Sequence, residues 1–150
     1  MSFESKTALV TGATRGIGRA IALRLGSEGA TIVGTATSEA GAKSITEYLR
    51  EANIAGSGMV LNVTDPDSIE AVVAETESIY GAPSILVNNA GITRDNLLVR
   101  MKDDDWDDII STNLTPIYKL SNTFLPSSYI LQYAGWKQYR DFQVWVLQIL

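Results

Sequence analysis

The chain of 150 residues contains no cysteine and no histidine. The absence of cysteine excludes a disulfide framework, a thiolate nucleophile and a zinc–thiolate site. The absence of histidine excludes an imidazole base and imidazole metal ligands, and we predict no metal site. Several catalytic mechanisms are therefore excluded before any motif is considered.

The sequence also lacks an excess of positive charge and a long apolar run. It contains 12 Lys and Arg residues and 17 Asp and Glu residues, which gives a net charge of −5. This sign is wrong for a protein that neutralises the phosphates of a nucleic acid. No run approaches the ~18 apolar residues that a membrane span needs, and Glu4 stands where a signal peptide would be positively charged. We expect a soluble, cytoplasmic protein with neither nucleic-acid nor membrane partners.

Apolar segments alternate with amphipathic segments along most of the chain. Strands are predicted at residues 7–10, 30–37, 59–63 and from 84 onward, and the segments between them have helical spacing. Ser38 and Asp65 are plausible N-caps of two helices, and Pro66 fits the first position of the second. Continuous apolar strands separated by helices predict an α/β fold with a parallel sheet that is covered on both faces.

The first strand runs into a glycine-rich loop, Thr11–Gly18, with the sequence TGATRGIG. Glycines at such a strand–loop–helix junction let the chain turn tightly and let backbone N–H groups approach a pyrophosphate at the helix N-terminus. The loop therefore predicts a dinucleotide site. The alternative is a tight turn without a ligand, and the loop alone does not exclude it.

The spacing Gly-x-x-x-Gly-x-Gly, followed by Asn88-Asn89-Ala90-Gly91 after the fourth strand, resembles the short-chain dehydrogenase/reductase family. The segments GTATSE (34–39), LNVTDP (61–66) and NNAGITRDNLL (88–98) are similar to the bacterial 3-oxoacyl-acyl-carrier-protein reductases within that family. The resemblance covers about residues 2–121. It implies the N-terminal part of a Rossmann-type doubly wound sheet, with about four strands.

The resemblance also implies NADP(H) as the cofactor. Thr37 ends the second strand, where an acidic residue would accept hydrogen bonds from the ribose 2′-hydroxyl of NAD, and Arg15 supplies a cation for a 2′-phosphate. Glu39 would oppose that phosphate if it pointed inward. The cofactor-binding residues that the family pattern implies are Gly12, Thr14, Arg15, Gly16, Ile17, Gly18, Thr37, Asn62, Val63, Asn89, Ala90 and Gly91.

Asn113 is the implied catalytic residue, because family members use an asparagine on the helix after the fourth strand to hold a water that relays protons. Pro116 gives a physical reason for a helix distortion there, since it lacks the N–H that would bond to the Thr112 carbonyl. The alternative interpretation is an asparagine that faces solvent on a regular helix.

Family members protonate the carbonyl oxygen with a tyrosine that is assisted by a lysine one helical turn later, while a serine steadies the substrate oxygen. Tyr133 and Lys137 have this spacing, but the 19 residues between Asn113 and Tyr133 are too few for the missing strand, serine and turn. Gly135 also weakens a helix between them. We therefore predict that Tyr133 and Lys137 are not the catalytic pair.

Residues from Phe124 onward are rich in aromatic side chains and differ from the preceding sequence. We predict a dinucleotide-binding region at 1–121 and a divergent tail at 122–150 within one domain. The tail would leave the fourth strand at an open sheet edge, unless it forms an ordinary final helix or strand against the sheet.

Two classes of function remain open at this point. The first is an NADPH-dependent reductase of the 3-keto group of acyl thioesters on acyl carrier protein, or of another ketone or acetoacetyl-coenzyme A. The second is a remnant that binds NADP or associates with intact family members without catalysis, since no serine, tyrosine and lysine are properly placed. A homo-oligomer is implied by the family, and the sequence leaves its size open.

Overall fold

The computed structural model describes residues 3–95 and 97–125, together with the backbone of residues 143–146. Strands β1 to β4 alternate with helices α1 to α3, and further helical segments follow β4. The strands are β1 (Thr7–Val10), β2 (Thr31–Ala36), β3 (Gly56–Val60), β4 (Ile85–Asn88) and β5 (Gln143–Val146). The helices are α1 (Gly16–Ser27), α2 (Glu39–Glu51), α3 (Pro66–Tyr80), a short 3-10 helix (Leu98–Arg100), α4 (Asp103–Ile109), a π-helical segment (Ile110–Leu114) and α5 (Thr115–Phe124).

The strands form one parallel sheet in the order β3-β2-β1-β4-β5. Successive side chains of β1 point to opposite faces, as strand geometry requires. Ala8 and Val10 belong to one buried cluster with α1 and α2, whereas Leu9 belongs to a second cluster with α3 and α5. The predicted Rossmann-type α/β fold with both sheet faces covered is confirmed.

Two helices begin where the sequence predicts N-caps. The Ser38 hydroxyl accepts a hydrogen bond from the Gly41 N–H at 3.2 Å, and the Asp65 carboxylate accepts one from the Asp67 N–H at 3.1 Å. Pro66 occupies the first position of α3, where no intrahelical N–H is needed. These caps satisfy otherwise unpaired backbone donors and fix the starts of α2 and α3.

The expectation of an open edge at β4 is wrong. β5 pairs with β4 in parallel, with Leu86 opposite Val144 and Asn88 opposite Val146. An exposed strand edge presents unpaired N–H and C=O groups, and the segment Gln143–Val146 contains residue types that favour strands. The alternative of a tail strand packed on the sheet agrees with this pairing. Tyr133 and Lys137 lie outside the described residues.

No helix in the described part of the chain is long and apolar enough to cross a membrane. Helix α5 continues to Phe124, which is 1% exposed and packs in the second core cluster. The hydrophobic core therefore extends past residue 121, while the boundary of the dinucleotide-binding region at that residue stays a prediction.

Candidate active site

A cleft of about 540 Å³ lies at the carboxyl ends of the central strands. The chain proceeds outward through β1, β2 and β3, and then returns to place β4 on the other side of β1. Such a reversal of strand order opens a crevice between the loops that follow β1 and β4, where open α/β sheets bind their ligands. The topology therefore positions the predicted glycine-rich loop and the Asn88–Gly91 segment on two sides of one cleft.

The glycine-rich loop is packed too closely for side chains at two of its glycines. Gly12 has a φ of +66°, and a Cβ there would lie 3.1 Å from the Ala90 Cα. A Cβ on Gly18 would overlap the Gly12 carbonyl oxygen and lie 2.5 Å from the Asn89 amide nitrogen. The missing side chains let the loop, α1 and the segment after β4 come into direct contact, as a cradle for a phosphate group requires.

The N-terminus of α1 faces this cleft without a side-chain cap. Arg15 is the N-cap residue and makes no capping hydrogen bond, in contrast to Ser38 on α2 and Asp65 on α3. Arg15, Gly16 and Ile17 line the cleft. The first N–H groups of a helix have no intrahelical partners and lie at the positive end of its dipole, so this end of α1 suits an anion.

Two polar side chains connect the glycine-rich loop to the segment after β4. The Thr11 hydroxyl accepts hydrogen bonds from the Asn89 and Ala90 N–H groups, both at 2.9 Å. The Asn89 amide donates to the carbonyl oxygens of Thr11 at 2.9 Å and Gly12 at 3.1 Å. The Asn89 side chain therefore holds the cleft wall together, in addition to lining the cleft.

The Asn113 side chain is half-buried and clamps the loop after β4. Its oxygen accepts from the Ile92 N–H, and its nitrogen donates to the Ile92 carbonyl, both at 2.8 Å. Asn113 lies in the π-helical segment directly before α5, whose first turn contains Pro116. The helix distortion expected beside Pro116 is confirmed, and the alternative of a solvent-facing asparagine on a regular helix is wrong.

Comparisons with known proteins agree with this geometry. A family description for the short chain dehydrogenases matches residues 6–135, which include the glycine-rich loop, the Asn88–Gly91 segment and Asn113. The chain belongs to the short-chain dehydrogenase family. The match runs past residue 121, in agreement with the continuation of α5 to Phe124.

Curated members of the family are similar over most of this chain. The 3-oxoacyl-[acyl-carrier-protein] reductase FabG of Vibrio harveyi is 63% identical over 125 residues, which are 83% of this chain and 50% of that protein. The FabG reductases of Salmonella typhimurium and Escherichia coli are 62% and 59% identical over the same length. The chain spans about half the length of the curated relatives that it matches.

Within this short-chain dehydrogenase, nearly all the predicted site residues line one cleft. Those that do so are Gly12, Thr14, Arg15, Gly16, Ile17, Gly18, Thr37, Val63, Asn89, Ala90, Gly91 and Asn113. Glu39 is exposed in the first turn of α2 and is not part of the lining. The binding roles of these residues stay predictions, while their common location is established.

Asn62 is the predicted cofactor residue that the structure does not bring to the cleft lining. It is exposed, and its side-chain oxygen accepts hydrogen bonds from the Thr64 N–H at 3.1 Å and the Thr64 hydroxyl at 2.8 Å. An asparagine side chain that bonds to the backbone two residues later stabilises a local turn. This turn accounts for the orientation of the Asn62 side chain, and its role in cofactor binding stays a prediction.

Asn88 and Thr11 were not among the predicted site residues. Asn88 lines the cleft and is 6% exposed, and both atoms of its amide are buried without a hydrogen-bond partner among the described residues. Unpaired buried amide groups are rare and costly, so a polar ligand group is a suitable partner for Asn88. Thr11 could have been found as a hydroxyl placed at the end of a buried apolar strand.

Taken together, the cleft fits a dinucleotide. The uncapped α1 N-terminus and Arg15 offer donors and positive charge to phosphates, while buried Leu61 and Val63 offer an apolar surface to a ring. The unpaired Asn88 amide adds both a donor and an acceptor. In the described part of the chain, no group of three or more Asp or Glu residues is arranged to hold a metal ion.

Tyr48 on α2 contacts the glycine-rich loop but is not part of the cleft lining. Its hydroxyl donates to the Ala13 carbonyl at 2.9 Å, and the Arg19 guanidinium lies 4.7 Å from the centre of its ring. Burial raises the pKa of Tyr48 to about 12, an effect that the positive charge of Arg19 partly offsets. The hydroxyl is therefore protonated and acts as a hydrogen-bond donor at neutral pH.

Replacement of Asn113 by leucine tests the clamp on the loop after β4. Leucine has a similar shape but leaves the Ile92 N–H and carbonyl unpaired, so we expect the free energy of unfolding to fall by roughly 2–4 kcal/mol. Urea denaturation measures the change. Ser111→Ala on the same helical segment is the control, because its exposed hydroxyl bonds to the nearby Asp108 carbonyl and to no other described residue. Equal stability of the two variants would contradict the clamp.

Proposed function

We propose that this chain is the cofactor-binding half of an NADPH-dependent 3-oxoacyl-acyl-carrier-protein reductase. The observation that carries the proposal is the glycine-rich loop, which is closely packed at Gly12 and Gly18 and leads into the uncapped N-terminus of α1 beside the cleft. Backbone N–H groups there would bind the pyrophosphate of NADP(H). When bound, the cofactor supplies a hydride for reduction of a carbonyl group.

NADP(H) is preferred over NAD(H) in this proposal because of the residues around the end of β2. Thr37 lines the cleft where an acidic residue would bind the 2′-hydroxyl of NAD. Arg15 also lines the cleft, and its guanidinium suits a 2′-phosphate. Glu39, which would oppose that phosphate, is not part of the cleft lining. These positions support a site that is neutral or positive around the 2′-phosphate.

The proposed substrate is a 3-oxoacyl thioester on acyl carrier protein. Support comes from the FabG reductases of Vibrio harveyi and Salmonella typhimurium, whose names state this substrate and which are 63% and 62% identical to the chain. In this proposal, Asn113 is the residue of the present chain nearest to the chemistry. Its side chain fixes the loop at Ile92, and it lies in a π-helical segment, a distortion that is frequent at functional sites.

We further propose that the polypeptide of residues 1–150 binds NADPH without reducing a substrate. Carbonyl reduction needs a proton donor for the oxygen that gains negative charge. The described side chains that line the cleft include threonines, asparagines, Arg15 and apolar residues, but no tyrosine, lysine or serine. A proton-donating tyrosine with an assisting lysine is thus not present among the described residues of the cleft.

The test of this proposal uses the purified polypeptide of residues 1–150. We expect saturable NADPH binding, observed by nucleotide fluorescence and by thermal stabilisation, and no NADPH oxidation with an acetoacetyl thioester. Absence of NADPH binding would overturn the proposed function. Turnover that disappears in Tyr133→Phe but survives in the control Tyr139→Phe would overturn the proposal of binding without catalysis.

Cofactor preference is tested by Thr37→Asp. A carboxylate at this position repels a 2′-phosphate and accepts hydrogen bonds from a 2′-hydroxyl, so we expect the ratio of the NADPH and NADH dissociation constants to rise about tenfold or more. Isothermal titration with both nucleotides measures the ratio. Glu39→Gln is the matched control outside the cleft lining, and its ratio should match that of the unmodified chain. A changed ratio of dissociation constants in Glu39→Gln but not in Thr37→Asp would contradict the proposed role of Thr37 in cofactor preference.

A further inference from the structure

Two consecutive peptide units in the glycine-rich loop are held by hydrogen bonds from outside the loop. In the first unit, the Gly12 carbonyl accepts from the Asn89 amide at 3.1 Å and the Ala13 N–H donates to the Thr35 carbonyl at 2.9 Å. In the second unit, the Ala13 carbonyl accepts from the Tyr48 hydroxyl at 2.9 Å. The N–H of this second unit belongs to Thr14.

The Thr14 N–H donates to no described residue, whereas the Ala13 N–H beside it is paired. A trans peptide is planar, with its carbonyl and N–H pointing in opposite directions, and no described peptide bond is cis. Since Tyr48 draws the Ala13 carbonyl toward α2, the Thr14 N–H must point away from α2. Thr14 lines the cleft, so this direction leads into the cofactor site.

We propose that Tyr48 is a positioning residue for the cofactor pyrophosphate, because its hydroxyl orients the Ala13–Thr14 peptide and thereby aims the Thr14 N–H at a phosphate oxygen. The proposal rests on the proposed NADP(H) site and adds a residue of α2 that does not line the cleft. Tyr48 acts through Ala13 and does not contact the cofactor itself.

The surroundings of Tyr48 make its hydroxyl a fixed donor. The residue is 5% exposed within the core cluster that also contains Ala13, and Arg19 of α1 stacks over its ring. Its ring is therefore immobilised between α1 and the sheet. Ala13 is fully buried, so its carbonyl has no access to water as a replacement partner. Without the hydroxyl, that carbonyl loses its partner and the peptide is free to rotate.

Tyr48→Phe is the variant that isolates the hydroxyl, because phenylalanine keeps the buried ring and the stacking surface for Arg19. We expect the dissociation constant of NADPH to rise about tenfold, the change that corresponds to loss of roughly one hydrogen bond. The dissociation constant of adenosine 2′-phosphate should stay unchanged, because this ligand lacks the pyrophosphate. Both constants are measured by isothermal titration at a temperature at which the variant is folded.

Thr46→Val on the same helix is the matched control. The Thr46 hydroxyl accepts from the Gly58 N–H at 2.9 Å and donates to the Ala42 carbonyl, so it connects α2 to β3 rather than to the glycine-rich loop. This variant should lose stability while it keeps the NADPH dissociation constant of the unmodified chain. An equal loss of NADPH affinity in Thr46→Val and Tyr48→Phe would show a general effect of α2 stability and overturn the proposal.

A measurement on the unmodified chain keeps the proposal testable if Tyr48→Phe does not fold. In amide NMR spectra of isotope-labelled protein, NADPH should shift the Thr14 resonance and slow exchange of its proton, whereas adenosine 2′-phosphate should not. An unchanged Thr14 amide at saturating NADPH would overturn the positioning role while leaving the proposed function intact. Similar losses of NADPH and adenosine 2′-phosphate affinity in Tyr48→Phe would also overturn it. Failure of the unmodified chain to bind NADPH would instead overturn the proposed function.

Discussion

Gly18→Ala is expected to weaken NADPH binding by about a hundredfold or more, the equivalent of roughly 2.7 kcal/mol. The added Cβ would overlap the Gly12 carbonyl oxygen and lie 2.5 Å from the Asn89 amide nitrogen. Neither group can move alone, because Asn89 also bonds to the Thr11 carbonyl and the Gly12 carbonyl accepts from Asn89. The substitution therefore separates the loop, the segment after β4 and the N-terminus of α1.

Helix propensity and steric packing have opposite effects in the Gly18→Ala variant. Alanine is favoured over glycine in helices by about 1 kcal/mol, so a purely local effect of Gly18→Ala would stabilise α1. Steric overlap with buried backbone instead forces a shift of the loop, at a typical cost of about 1–3 kcal/mol. Both NADPH titration and urea denaturation are needed to separate the two consequences.

Gly26→Ala is the matched control for Gly18→Ala on the same helix. A Cβ on Gly26 would meet the Ile54 side chain, with the Ile54 Cδ1 at 2.7 Å, at a site that is not part of the cleft lining. This variant should lose stability but bind NADPH with the affinity of the unmodified chain. The interpretation of Gly18 would be contradicted by a Gly18→Ala variant that binds NADPH normally.

Phe124→Ala is expected to lower the free energy of unfolding by roughly 3–5 kcal/mol. Phe124 is the last residue of α5, is 1% exposed and packs in the cluster that contains Leu9, Leu86 and Leu120. Removal of its ring leaves a cavity in the core between the sheet and α5. Because small domains are stable by only about 5–15 kcal/mol, this loss is a large fraction of the total.

Chemical denaturation of Phe124→Ala and Tyr118→Ala gives the comparison. Tyr118 lies on the same helix but is 71% exposed, so its truncation should change the stability by less than about 1 kcal/mol. Equal stability of the two variants would show that the end of α5 is not part of the core. The outcome also tests the predicted boundary at residue 121, since Phe124 lies beyond it.

Much of the fold was predictable because its signals are local. The β1 segment TALV is apolar from Ala8 to Val10 and buried throughout, as expected for a strand covered on both faces. Ser38, Asp65 and Pro66 mark helix starts through bonds or geometry within a few residues. The glycine spacing from Gly12 to Gly18 predicts a strand–loop–helix junction, and the structure places this junction at the cleft.

The parts that were missed depend on contacts between distant segments. The edge strand β5 pairs with β4 across a long separation in sequence, and no local pattern in the tail predicts this partner. Asn62 matched a family position, yet its side chain bonds to Thr64. Asn88 was absent from the predicted site because its importance follows from the burial of its unpaired amide in the folded sheet.

The sequence by itself determined the membership of the chain in the short-chain dehydrogenase family and most of the residues that line the cleft, because glycine spacing and apolar strands act over short distances. Only the tertiary structure decided which hydrogen-bond partners the polar side chains of the cleft have. Asn89 bonds to Thr11 and Gly12 nearly eighty residues away, and Asn113 bonds to Ile92 across 21 positions. Such hydrogen bonds depend on where the parallel sheet places the ends of its strands, which no local pattern specifies.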